Sequence, residues 1–178
     1  ADRFLLDEQQ DEMLEGLLQL NWQEQTAMQL NSLFKALAQE AASQQPEPQW
    51  LPRRQQIDAW LDVGDVHCAW RALSQLREHA DPLFSRAGKT LSEGCPLTAH
   101  LVWEQIRRAR HLSLSQVFQM EYTLSLNCCR HPEFSEGVRA RLIDKDQQPH
   151  WHWPDIKRIP EAVVEAHFHK AWEGRHPL

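Results

Sequence analysis

Apolar residues in this chain recur chiefly at intervals of three and four, and helical periodicity dominates. Ala99, Val102, Trp103, Ile106 and Ala109 are the clearest case. That spacing gathers side chains on one face of a helix and scatters them over both faces of a strand. Glycine is also scarce, at 6 residues in 178. A sheet-and-turn architecture needs many positive-φ positions, which glycine supplies most cheaply. The chain is therefore expected to be all-α.

The pattern resolves into segments. Asp7 suits the N-cap of a first helix with Met13, Leu14, Leu17 and Leu18 as its stripe. A second runs from about residue 23 to 40, with Leu30, Leu33, Phe34 and Leu37. Pro46 and Pro48, in polar company, break the pattern. Two shorter helices follow, one on Ile57, Trp60 and Leu61, the next on Val66, Ala69, Trp70, Leu73 and Leu76. Residues 81–96 show no period and read as irregular. A helix then starts at Pro96, and Ser113 with Gln116 forms the capping box of the next. The stripe of that helix is Leu114, Val117, Glu121, Leu124 and Cys128. Pro132 suits the first turn of a helix reaching about Leu142. Residues 144–154 read as a loop. Pro160 opens a last helix, with Val163, Val164, Phe168 and Trp172 on its face and Gly174 as its stop. Only Arg3 to Leu6 has any strand character. Three parts result: N-terminal helices at 1–45, a linker at 46–52 and a C-terminal helical domain at 53–178.

Charge and composition exclude several functions. Formal net charge is -6, and residues 1–50 hold nine acids against two bases. Nucleic-acid binding needs a concentrated basic surface, so no such partner is expected. No apolar run approaches the roughly 20 residues that span a bilayer, and no basic segment leads into an apolar stretch at the start. No membrane partner is expected. Position 1 is Ala, which suggests a fragment or a processed chain. Four cysteines do not make a disulfide framework, and a reducing, cytoplasmic setting is the simplest expectation.

Individual candidates follow from type and position. Glu121 sits inside an apolar stripe, where a carboxylate needs a partner; Arg139 is the first candidate. Gly137 beside Glu136 permits close packing of a neighbouring element. Arg107, Arg108 and Arg110 sit near a helix C-terminus, where cations are favoured. Trp60, Trp70, Trp103 and Trp172 fall on stripes. Trp151 and Trp153 are expected to pack across a neighbouring domain, leaving apolar surface that drives homo-oligomer formation. His167 and His169 point about 200° apart on a helix. Cys128 and Cys129 are adjacent, which makes a poor zinc pair. No metal site is expected.

The most specific stretch begins at Met120-Glu121-Tyr122. Fifteen residues beyond Glu121 comes Glu136-Gly137-Val138-Arg139-Ala140-Arg141-Leu142-Ile143-Asp144-Lys145-Asp146, followed by Pro149 and Trp151. This resembles the C-terminal signature of the crotonase (enoyl-CoA hydratase/isomerase) superfamily, in the form carried by 3-hydroxyisobutyryl-CoA hydrolases. Ala1 to Leu5 looks like the closing segment of that family's catalytic core, and Cys95-Pro96-Leu97-Thr98 like one of its helix starts. Glu133 departs from the Asp common there, Leu142 from an aromatic, and Asp146 from a base.

The resemblance implies a helical C-terminal region without the family's spiral β/α core. Family chemistry rests on two core amides that hold the thioester oxyanion and on a core glutamate, so no catalytic residue is expected here. Acyl-CoA is the implied substrate of the parent enzyme, with no tightly bound cofactor. The missing N-terminal core is the implied partner, and Lys145 matches a lysine that approaches CoA. Glu121, Glu136, Gly137 and Arg139 are expected to be structural. A stand-alone helical interaction module derived from the family is the alternative.

Overall fold

The structure, a computed structural model, describes residues 3–170 and 172–174. Ala1 and Asp2, the first half of the expected core-closing segment, lie outside the described residues. The chain divides into two compact units, 1–54 and 55–178. Among the described residues every regular element is helical.

In the first unit, α1 (Gln10–Leu18) packs on α2 (Thr26–Ala41). Gly16 makes the approach close: a Cβ there would stand 2.6 Å from Leu33 Cδ1. Gln9 is the polar tie. Its Nε2 donates to the Leu37 carbonyl at 3.1 Å, and its Oε1 accepts from Leu6 N at 3.0 Å. The backbone of Leu6 enters the helix in extended form, so Leu6 occupies the N-cap, one residue before the expected Asp7. Arg3 to Leu6 form no strand. Leu37 and Ala41 are buried, whereas Leu14 and Leu18 of the expected stripe are exposed.

The second unit carries α3 (Arg54–Leu61), α4 (Val66–Ser74), α5 (Pro82–Glu93), α6 (Pro96–Ala109), α7 (Leu114–Arg130), α8 (Pro132–Val138) and α9 (Glu161–Phe168). Its core joins Val66, Leu97, Leu101, Leu124, Ile156, Ile159 and Val164. Such a core, drawn from four helices and one turn, removes apolar surface from water at about 25 cal/mol per Å².

Residues 81–96 depart from expectation, because α5 fills most of them. The Asp81 carboxylate accepts from Leu83 N at 2.9 Å, and Pro82 takes the first helical position. The buried face is Phe84 and Gly88. A buried glycine leaves no apolar mark in the sequence, so the period looked broken. Gly88 is required here: a Cβ would lie 2.5 Å from Arg77 N and 2.7 Å from Leu76 C.

α6 is turned relative to its expected stripe. Leu97 and Leu101 are buried, while Val102 and Ile106 are exposed. α7 starts on the expected box: Gln116 N donates to Ser113 Oγ at 3.3 Å, and Ser113 N to Gln116 Oε1 at 2.8 Å. Its inward face is Thr123 and Leu124, and Leu114 is exposed. α8 continues into a π-turn, Arg139–Ile143. α9 ends at Phe168, so Trp172 stands beyond it and meets the Tyr122 ring at 5.5 Å instead. Asn127 Nδ2 donates to the carbonyls of His167 and His169, both at 2.9 Å, and so closes the C-terminal end of α9.

Candidate functional site

The signature stretch folds into a latch around one guanidinium. Arg139 Nε and Nη2 donate to the two oxygens of Glu136, at 2.9 and 2.8 Å. Its Nη1 donates to Asp144 and Asp146, both at 2.7 Å, and Nη2 also reaches the Gln148 carbonyl at 3.0 Å. Glu136 accepts in addition from His150 N at 2.6 Å. Bidentate charge-assisted bonds of this kind are geometrically demanding, and arginine supplies the fork. The Arg139 guanidinium and the His150 amide hold the Glu136 carboxyl down to about 2. Arg139, with the Gln148 amide, also holds Asp146 below the usual carboxylate range. The loop carries Lys145 and Gln147 at φ 58°, in left-handed conformations that are uncommon for residues with a Cβ. Lys145 is exposed between the two latched aspartates.

Glu133 anchors the next part of the exit loop. It is buried, and its oxygens accept from His152 N at 3.2 Å and Trp153 N at 3.3 Å. The carboxylate is satisfied by backbone donors alone, which is how a buried charge is tolerated. The His131 ring accepts from Glu133 N through Nδ1 and stacks on Trp153 at 5.5 Å. It also lies 5.0 Å from the His167 ring. Burial, with His167 nearby, pushes His131 below its usual value. His167 is buried, with Nδ1 2.7 Å from the Val163 carbonyl.

These pieces border a groove of about 370 Å³. Leu97, Leu101, Phe134, Val138 and Leu142 give it apolar walls, and Arg141 stands on the lining. Cys95 and Cys128 also line it, and burial raises both thiols above their ordinary value. A thiol shifted upward is a poor nucleophile at neutral pH. Glu133 and His131 are committed to backbone groups. The groove is thus built to hold an apolar surface, with no activated base or nucleophile in it among the described residues.

The expected site residues fall into place unevenly. Glu136 and Arg139 meet in the latch. Gly137 faces the Trp151 ring, where a Cβ would lie 3.4 Å from Cη2. Trp151 and Trp153 therefore pack within their own unit, against Gly137 and His131. Glu121 stands apart: it is exposed and accepts from Gln105 Nε2 at 3.1 Å, not from Arg139. Arg107 pairs with Glu104 at 2.7 Å. Arg108 pairs with Glu104 and Glu165 and lies 4.0 Å over the Phe168 ring, tying α6 to α9. Sequence reading missed Glu133, His131 and Asn127 as anchors. Their distant partners are backbone groups 19 to 42 residues away or rings of remote residues, which leave no local pattern.

With the geometry in view, the comparisons are direct. The sequence profile described as enoyl-CoA hydratase/isomerase matches residues 1–168. The chain belongs to the enoyl-CoA hydratase/isomerase family. A family relative, the mitochondrial 3-hydroxyisobutyryl-CoA hydrolase of Danio rerio, is 34% identical over 112 residues. That alignment takes in 63% of this chain and 28% of the relative. The Homo sapiens protein of the same name is 39% identical over 80 residues, covering 45% of this chain and 21% of the relative. The chain thus spans about a quarter of the curated relatives it matches. Among solved structures, a carnitinyl-CoA dehydratase from Mycobacterium thermoresistibile superposes with a TM-score of 0.67 at 24% identity. It covers 96% of this chain and 45% of the dehydratase, so the two share a fold over that part of the dehydratase. No described helix is long and apolar enough to cross a membrane.

Proposed function

We propose that this chain is the helical cover and assembly part of a 3-hydroxyisobutyryl-CoA hydrolase-like enzyme. The single observation behind it is the groove between α6, α7 and α8, apolar and without an activated group, with its exit loop locked by the Glu136–Arg139 latch. Phe134, Leu142 and Ile143, all at least half exposed beside it, extend the apolar surface. Exposed apolar surface of this extent marks contact sites. The shared portion of the relatives supports a catalytic core as the neighbour on that surface, with acyl-CoA held between. Lys145, outermost in the latch loop, is the proposed contact for CoA. The exposed Leu114 and Phe118 of α7 are the proposed subunit contact. Four cysteines, all free, support a reducing compartment, the cytoplasm being the simplest; the relatives above carry a mitochondrial name.

The deciding experiment assays hydrolysis of 3-hydroxyisobutyryl-CoA by the purified chain, by the core portion of a relative, and by the two mixed. The chain alone is expected to be inactive and the mixture active. Turnover by the chain alone would overturn the proposal.

A further inference from the structure

His131 is the whole of the joint between α7 and α8. It closes α7, its N–H donating to the Cys128 carbonyl at 3.0 Å, and it is also the N-cap of α8. The cap is made by its ring, whose Nδ1 accepts from Glu133 N at 3.3 Å. Other helices are capped differently. Asp65, Asp81 and Ser113 hold the first turns of α4, α5 and α7 through oxygen acceptors. Such oxygens keep their lone pairs throughout the neutral range. Of these four helices α8 alone depends on an imidazole, the side chain whose unperturbed titration falls near neutral pH.

A backbone N–H can only donate, so the Nδ1 that meets it carries no proton, and the neutral ring bears its hydrogen on Nε2. A proton added at Nδ1 turns an acceptor into a donor that faces a donor. The groups facing the ring are Glu133 of α8, His152 of the exit loop and His167 of α9, whose ring lies 5.0 Å away. α7 and α6 bring Cys128 and Cys95 to the same groove, and burial keeps both thiols neutral. Stacking on Trp153 and the Glu133 carboxylate favour a charged ring. Burial above all, and then His167, oppose the charge and prevail. Glu133 couples the ring to the exit loop, because its carboxylate holds His152 N and Trp153 N. One side of the groove is built from this assembly: Glu133, Phe134, Gly137 and Val138 of α8, with Trp151 of the loop.

We propose that His131 is a proton-operated hinge: one proton from solvent, taken up at Nδ1 as pH falls below neutral, uncaps α8, frees the exit loop from Glu133 and opens the groove. The imidazolium offers two N–H donors and no acceptor, so Glu133 N is orphaned. The new charge then competes with the His152 and Trp153 amides for the Glu133 carboxylate. Both effects fall on the same side of the groove, and both reverse when the proton leaves.

The test is NMR of the unmodified chain and two variants, from about pH 7.5 down to about pH 5. Ring nitrogen shifts of the parent should show His131 Nδ1 bare at the neutral end and protonated at the acid end. Protection of the Glu133, His152 and Trp153 amides should drop by about tenfold with the same midpoint. The Val138 methyl groups, on the groove lining, should shift with them. The Leu124 amide, in the core of α7, should stay protected and so report an intact fold. His131→Asn caps α8 with an amide oxygen that does not titrate, and its protection should be independent of pH over this range. His152→Gln removes the exposed histidine of the cluster and should respond as the parent does. A tenfold drop that persists in His131→Asn would overturn the proposal. So would a parent Nδ1 already protonated at the neutral end, or amide protection that stays flat to the acid end.

Discussion

Arg139 and Glu136 meet through a two-bond fork, Nε to Oε2 at 2.9 Å and Nη2 to Oε1 at 2.8 Å, one turn apart at the end of α8. The same guanidinium holds Asp144 and Asp146. These bonds clamp the end of α8 to the exit loop and set the path of that loop. Arg139→Lys keeps the charge but cannot reproduce a fork plus two further carboxylates. Amide exchange at Gln148 and His150 should quicken by about tenfold or more, while exchange in α6 and α7 stays as it is. Unchanged exchange at His150 would show the latch to be incidental.

Acid should unfold the second unit in two stages. His131 and His100 are held below the usual histidine value of 6.5, first of all by burial. His131 also feels His167, Glu133 and His152, and His100 feels His67, Glu104 and Glu161. Below 6.5 the unfolded chain takes up protons that the folded chain refuses, so stability drops as pH falls through that window. The second stage is led by Glu136, ordinarily 4.5 and here about 2, with Asp146, Glu104 and Asp65 also held low. Its contribution is whole above 4.5 and disappears as pH approaches 2. Melting temperature against pH should show both declines, and Glu136→Gln should reduce the lower one without moving the upper one.

Glu133→Ala removes the acceptor for two part-buried amides, those of His152 and Trp153. Each orphaned donor costs about 1–3 kcal/mol. Glu133→Gln keeps one acceptor oxygen and should cost roughly half as much. Denaturant midpoints measure both, and equal losses in the two variants would mean that packing, not hydrogen bonding, is at stake.

Gly88→Ala tests the contact of α5 with the turn before it. Alanine favours a helix by about 1 kcal/mol. Yet its Cβ would meet the backbone of Leu76 and Arg77, which cannot step aside as a side-chain end can. A net loss of about 1–3 kcal/mol is expected. Gly64→Ala, with nothing within 4 Å of the new Cβ, should leave the melting temperature close to that of the parent.

The sequence by itself determined the helical character, most helix starts and the family. Those properties rest on local rules: Pro132 at a first turn, the Ser113–Gln116 box, spacing of three and four, and an eleven-residue signature. Which face of each helix turns inward was decided only by tertiary packing. α6 carries apolar residues on two sides, and only the positions of α4 and α9 select Leu97 and Leu101 over Val102 and Ile106. For the same reason Glu121, expected to be buried, is exposed, and Glu133 is the carboxylate that is buried. Burial of a carboxylate depends on whether distant backbone amides arrive to meet it, and the loop that brings His152 and Trp153 to Glu133 has no period to read.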